Sequence, residues 1–215
     1  MPEGAPPPCI YVLAGTNGAG KSSLIGAVIE AQGVEFFNPD AAARLMRDRN
    51  PGISQAEANS AAWHQGRRLL ERAITERFTY AFETTLGGAT MTALLERALA
   101  AGLEVRVWYV GLSTAELHVA RVRARVARGG HDIPEADIRR RFDDGRLNLV
   151  RLLPRLTELR VHDNSEEADP RAGRAPSPVL LLHVVRGKIA GACALAQIPR
   201  WAKPIAAAAL KSSSA

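Results

Sequence analysis

A three-layer α/β sandwich built on a mostly parallel sheet of five strands is the fold class predicted by this 215-residue sequence. Three observations predict it. Short apolar runs alternate with stretches of helical spacing from residue 9 to 165, the order expected of repeated βαβ units. One run, Val105 to Val110, is continuously apolar, as a strand covered on both faces must be. The first run, Ile10 to Ala14, opens directly into Gly15-x-x-x-x-Gly20-Lys21-Ser22, with a helical pattern immediately behind it.

That last motif decides the type of sandwich. Strand, glycine loop and helix start are the context a phosphate-cradling P-loop needs, so the predicted fold is of the P-loop NTPase type. Gly15, Gly18 and Gly20 let the backbone bend until its N–H groups converge on phosphate oxygens. The following helix adds the positive end of its dipole. Gly15, Thr16, Asn17, Gly18, Ala19, Gly20, Lys21, Ser22 and Ser23 are therefore the expected ATP-binding set, with GTP left open. Lys21 is expected on the β- and γ-phosphates and the Ser22 hydroxyl on Mg²⁺.

The other elements follow in order. Leu24, Ile25, Val28 and Ile29 repeat at helical spacing up to a C-cap at Gly33. Val34 to Phe37 reads as a short strand ending in Asn38-Pro39-Asp40. Ser54-x-x-Glu57 is a capping box opening a long helix through Leu69, Leu70 and Ile74. Phe78 to Phe82 is the next strand, then Glu83-Thr84-Thr85, and a helix carrying Leu94, Leu95, Ala98 and Leu99 closes at Gly102. Beyond the strand at Val105 to Val110, Ser113-x-x-Glu116 reads as a second capping box, whose helix stops at Gly129-Gly130. Pro134 and Glu135 restart a helix to about Leu153, and Leu159 to Val161 is a strand before Asp163-Asn164. Polar residues 165–178 form a loop, Leu180 to Ile189 a small hairpin turning near Gly187, and the Ala-rich tail is expected to fray. The expected organisation is a disordered lead-in over 1–8, the P-loop domain over 9–165 and a C-terminal appendage over 166–215.

Lys and Arg outnumber Asp and Glu by 28 to 22, a net charge of +6 that suits anionic ligands such as nucleotides. Cys9 and Cys193 form no spaced cluster, so neither a disulfide framework nor a zinc site is indicated. Two buried thiols suit a reducing, cytoplasmic setting. The start of the chain lacks the basic and apolar regions of a signal peptide. The run Val179 to Val185 is too short to span a bilayer, so no membrane partner is expected.

Beyond the glycine loop, three features carry chemistry. Asp40 lies just past a parallel strand, on the sheet edge where open α/β sheets bind ligands. Three readings of it stay open: a base that draws a proton from an acceptor hydroxyl, an outer-shell partner of Mg²⁺, or a cap for the helix at Ala41. Glu83 ends an apolar strand, where a carboxylate has no packing role, and with Thr84 and Thr85 it marks an acceptor site on the same edge. Arg121, Arg125 and Arg128 fall at i, i+4 and i+7 and share one helix face. With Arg139, Arg140 and Arg141 beyond the Gly-Gly turn, they make an Arg-rich helical lid over about 113–150 the expectation. Arginine suits a lid because its planar fork grips phosphate through two hydrogen bonds. The three consecutive arginines cannot all face one site, and His131 in the turn reads as structural.

The loop Gly-x-Asn-Gly-Ala-Gly-Lys-Ser resembles that of ABC transporter ATPases, but their Leu-Ser-Gly-Gly-Gln signature is missing, as is the Asn-Lys-x-Asp motif of GTPases. A small kinase remains. The sequence resembles the zeta-toxin family of P-loop kinases, in its short stand-alone bacterial branch. The resemblance rests on the P-loop, Phe37-Asn-Pro-Asp40, Phe82-Glu-Thr-Thr85, Val126-Ala-Arg-Gly-Gly-His131 with Ile133-Pro-Glu135, and His162-Asp-Asn-Ser165. It implies an enzyme that uses ATP and Mg²⁺ to phosphorylate a sugar hydroxyl of UDP-N-acetylglucosamine, held in check by an antitoxin protein. Carried over by motif, Lys21 and Ser22 hold the nucleotide, Asp40 is the base, and Glu83 and Thr85 touch the acceptor. Arg121 and Arg128 would neutralise the transferring phosphoryl group. The acceptor motif departs from the family in reading Glu-Thr-Thr rather than Glu-Gly-Thr. Two other readings are a nucleotide-binding module acting through a protein partner with little catalysis, and a polynucleotide kinase. Aromatic residues, at 5%, are too scarce for base-stacking platforms, so nucleic acid is not the expected partner.

Overall fold

The computed structural model describes residues 7–21, 34–166 and 178–214. Ser22, Ser23, the helix expected from Leu24 to Gly33, most of the lead-in and the centre of the 165–178 loop lie outside the described residues.

One sheet carries the chain, in the order β2-β3-β1-β4-β5-β6-β7. β1 (Cys9–Ala14) pairs in parallel with β3 (Tyr80–Thr84) on one side and β4 (Glu104–Gly111) on the other. β2 (Phe36–Phe37) lies parallel outside β3, and β5 (Glu158–Asp163) parallel outside β4. All five therefore end at one sheet edge. Among the described residues the sheet has seven strands, not the expected five. β6 (Val179–Val185) runs antiparallel to β5 and carries β7 (Lys188–Ala192) beyond it. Two causes draw the hairpin in. Leu182 and Val184 extend the apolar surface begun by Leu159 and Val161. Arg186 and Gly187 turn at φ 48° and 76°, and a turn with both residues at positive φ matches the twist of paired strands.

Strand parity sorts the core. Ile10, Val12 and Ala14 pack with Phe82, Val107 and Leu159, whereas Cys9, Tyr11 and Leu13 pack with Trp108 and Val110 in a second cluster. The described helices are α1 (Pro39–Arg49), α2 (Gln55–Glu76), α3 (Ala89–Ala100), α4 (Ala115–Val126), α5 (Glu135–Leu152) and α6 (Lys203–Ser213). The capping box of Ser54 and Glu57 forms as expected at the start of α2. The second box does not. Thr114 instead caps α4, its hydroxyl accepting from Leu117 N–H at 3.2 Å, and the Ser113 N–H donates to the Ser165 hydroxyl at 2.7 Å.

The Ala-rich tail, expected to fray, is helix α6. Its small side chains let it dock closely: Ile205, Ala206 and Ala209 are buried with Trp201 in the main core. The Trp201 ring occupies the space any side chain at Gly111 would take, and its Nε1–H donates to Asp163 Oδ1 at 3.1 Å. Two helical pairs keep small cores of their own, α1–α2 around Ala43, Ala58 and Ala62, and α4–α5 around Val119, Val122 and Ile138.

Candidate active site

The glycine loop begins where β1 ends. Gly15 N–H donates to the Thr84 carbonyl at 3.2 Å, so the loop is stitched to the end of β3. Gly15 and Gly18 sit at φ 145° and 81°, and a side chain on either would collide with the carbonyl of Val110 or His118. Two buried groups brace the loop from behind. Asn164, at the end of β5, donates its amide to the Ala19 carbonyl at 2.9 Å. The His118 Nδ1 donates to the Asn17 carbonyl at 2.8 Å. His118 is 1% exposed, and burial pushes its pKa from 6.5 down to about 4, so its ring is neutral at pH 7.

Lys21 folds back over the loop. Its ammonium donates to the Gly15 carbonyl at 2.7 Å and lies 3.3 Å from Glu83 Oε1, with only 7% and 15% of the two side chains exposed. The other Glu83 oxygen accepts from the Asn38 amide at 3.0 Å. Asn38 also caps α1, its Oδ1 taking the N–H groups of Asp40 and Ala41 at 2.9 and 3.0 Å. This removes the capping reading of Asp40. With Pro39 in the first turn, Asn38 takes the N-cap position and Asp40 falls inside the helix. The Asp40 carboxylate is 44% exposed, 3.8 Å from Arg125 Nη1 and 3.9 Å from His131 Nε2.

A cleft of about 440 Å³ adjoins the glycine loop. Asn17, Asp40, Glu83, Thr84 and Thr85 all line it. The arginines divide. Arg121 stands beside Gly18 and donates to the Glu166 carbonyl at 3.1 Å. Arg128 sits exposed beyond the end of α4, its Nε donating to the Ala124 carbonyl at 3.1 Å, outside the cleft lining. Arg125, between them, reaches Asp40 and donates to the His131 carbonyl at 3.2 Å. Of the consecutive three, Arg139 turns away to Glu116 and Glu135, while Arg140 lines the cleft but is held by Asp137 and Asp144. Arg141 lines the cleft and donates to Asn17 Oδ1 at 2.9 Å.

Sequence reasoning did not single out Asn38, Trp63 or Arg141 as site residues, and it read His131 as structural although His131 lines the cleft. The choice among the three arginines follows from the rotation of α5, set by the burial of Ile138, Leu149 and Leu152. Among the described residues, no group of three His, Cys, Asp or Glu side chains is placed to hold a metal ion. None of their helices is long and apolar enough to cross a membrane.

A glycine loop with Lys21 paired to Glu83, beside a cleft lined by Asp40 and Arg141, defines a P-loop kinase-like nucleotide-binding domain on an α/β sheet. The AAA domain family matches residues 10–143, more than half of the chain, and this protein belongs to that family. It is 30% identical over 128 residues to an uncharacterized protein of Haemophilus influenzae, covering 60% of this chain and 88% of that one. Among solved structures it is similar to the AvrRxo1-ORF1:-ORF2 complex with ATP, at 16% identity and a TM-score of 0.64. That match covers 86% of this chain and 60% of the other, so the chain spans well under the full length of that neighbour. It is also similar to the PezAT chromosomal toxin-antitoxin system of Streptococcus pneumoniae, with 15% identity, a TM-score of 0.56, and 80% and 75% of the two chains covered. At such identities the likeness is one of fold.

Proposed function

We propose that this protein is an ATP- and Mg²⁺-dependent small-molecule kinase of the zeta-toxin type. It passes the γ-phosphate to a hydroxyl of a nucleotide sugar such as UDP-N-acetylglucosamine. One observation carries the reading: Lys21 of the glycine loop lies 3.3 Å from Glu83, and Glu83 lines a cleft together with Asp40. A group that binds phosphate and groups that bind a hydroxyl thus share one rim.

The roles follow from position. The loop N–H groups and Lys21 hold the triphosphate, and Arg141, at Asn17, offers a second cation beside it. Asp40 takes the proton from the attacking hydroxyl, while Glu83 and Thr85 orient the acceptor. Arg121 and Arg128 belong to the α4–α5 lid in this proposal, with Arg125 holding Asp40. The loop suits a triphosphate because glycine at positions 15 and 18 lets the backbone curl with its N–H groups converging, where any side chain would strike the Val110 or His118 carbonyl. Ser22 would offer its hydroxyl to Mg²⁺, and the bound ion would neutralise phosphate charge. Rate then comes from positioning and charge neutralisation rather than covalent chemistry.

An antitoxin-like protein partner and a cytoplasmic location complete the proposal. The partner is supported by two structural neighbours that are themselves assemblies, AvrRxo1-ORF1 with ORF2 and the PezAT toxin-antitoxin pair. The deciding experiment incubates purified protein with ATP, Mg²⁺ and a panel of nucleotide sugars and reads masses for a gain of one phosphate. A stable ATP complex with no acceptor-dependent ADP release would replace the kinase with a binding module. Labelling of RNA or DNA ends from ATP would replace it with a polynucleotide kinase.

A further inference from the structure

Helix α2 turns toward the cleft a face that packing does not explain. Asn59, Trp63 and Gly66, at i, i+4 and i+7, all line it. The rest of the helix is spoken for: Ala58 and Ala62 pack with α1, and Leu70, Ala73 and Ile74 enter the main core. Trp63 joins none of the buried apolar clusters of the described residues. It is 38% exposed, with His64 edge-on to it at 4.9 Å, whereas Trp108 and Trp201 are buried. A large indole left on a cleft wall forgoes the burial that normally stabilises tryptophan, and it presents a flat apolar surface with a polar N–H at its rim.

The residue one turn further on keeps that surface open. A Cβ at Gly66 would stand 2.7 Å from the Phe37 ring, itself a cleft residue, so glycine leaves room for Phe37 beside the helix. Asn59, one turn before Trp63, adds an amide that can both donate and accept. The result is a wall with two aromatic rings and one amide, in the same cleft as Asp40 and Glu83.

We infer that Trp63, with Phe37 and Asn59, is a stacking platform that selects an acceptor bearing a sugar or base ring and turns its hydroxyl toward Asp40 and Glu83. The inference rests on the kinase reading for the term acceptor; ring binding on Trp63 does not need it. Sugar and base faces both stack on an indole, whereas a ringless polyol has no face to offer.

Trp63 supplies its own reporter. Trp108 and Trp201 are shielded, so the emission difference between wild type and Trp63→Phe isolates the cleft indole. Both proteins, and Trp63→Ala, are titrated with uridine, N-acetylglucosamine, UDP-N-acetylglucosamine and glycerol while saturated with a non-hydrolysable ATP analogue. The wild-type Trp63 emission should change saturably with at least one ring compound and not with glycerol. By calorimetry, Trp63→Ala should weaken that compound on the order of tenfold, and Trp63→Phe should retain most of the affinity, the size expected of one aromatic stack. Melting temperatures should match wild type within a few degrees, since a half-exposed side chain is being changed. No saturable response to any ring compound, an equal response to glycerol, or unchanged affinity in Trp63→Ala overturns the platform. Ring binding that depends on Trp63 without any phosphate transfer keeps the platform and removes the kinase. Transfer whose KM ignores Trp63→Ala does the reverse.

Discussion

Lys21 and Glu83 form an ion pair, Nζ to Oε1 3.3 Å, that ties the glycine loop to the end of β3. Each has a second anchor, the Gly15 carbonyl for the lysine and the Asn38 amide for the glutamate. The residue proposed to hold phosphate and a residue proposed to hold the acceptor are therefore one electrostatic unit.

Breaking the unit from one side should cost both activity and stability. Lys21→Ala is expected to abolish ATP turnover and to lower stability by about 3 kcal/mol, since a largely buried carboxylate loses its cation. Adding Glu83→Gln to Lys21→Met should restore most of that stability without restoring turnover. Urea unfolding beside an ADP-release assay separates the two effects. Full stability in Lys21→Ala would show that the pair does not support the fold.

Asp40 caps nothing with its side chain, so its charge is available for chemistry. Asp40→Asn is expected to bind ATP normally and lose phosphate transfer by at least about 100-fold, within the usual range of a general base. Calorimetry with ATP and a single-turnover assay check the two halves. Wild-type transfer in the variant removes Asp40 from the base role.

Arg141 and Arg128 make opposite predictions. Arg141 touches the glycine loop through Asn17, whereas Arg128 is bonded to its own helix. If Arg141 neutralises the transferring group, Arg141→Ala loses on the order of 10³ in kcat. Arg128→Ala then changes kcat by no more than about threefold, the scale of an exposed charge. The reverse ranking would mean that the lid moves far enough to exchange the two.

Acid should loosen the fold through buried histidines. Burial pushes His118 and His162 from 6.5 to about 4. Between those values the unfolded chain binds more protons than the folded one, so stability falls as pH falls through the window. Each histidine contributes up to about 1.4 kcal/mol per pH unit. Urea midpoints at pH 7, 5.5 and 4.5 should drop, and more gently in His118→Asn. An identical pH slope in that variant would shift the cause to other groups.

Trp201 should matter to the whole fold although it follows the hairpin. Trp201→Ala removes a buried ring above Gly111 and a donor to Asp163. The expected loss is about 3–5 kcal/mol, on the order of 10 °C in melting temperature. A shift under a few degrees would mean that α6 docks independently of the sheet.

The amino-acid order alone determined what depends on neighbours in the chain. The glycine loop needs its residues in one run, and five parallel strands announce themselves as apolar segments between helical ones. The carboxylates Asp40 and Glu83 could be placed on the ligand edge because a parallel strand has only one end at which it leaves the sheet. Tertiary structure decided what depends on rotation and long-range pairing. Asn38 and Asp40 compete for one cap, and the placing of Pro39 in the first turn settled it. Arg139, Arg140 and Arg141 are adjacent in sequence, yet the burial of one face of α5 sends only Arg141 to Asn17. The hairpin and α6 lie at segments, Val185 to Ile189 and Ile198 to Pro204, that resemble the same zeta-toxin branch but carry no chemistry to place them. They joined the sheet because the outer edge of β5 and the space over Gly111 exist only once the strands have paired.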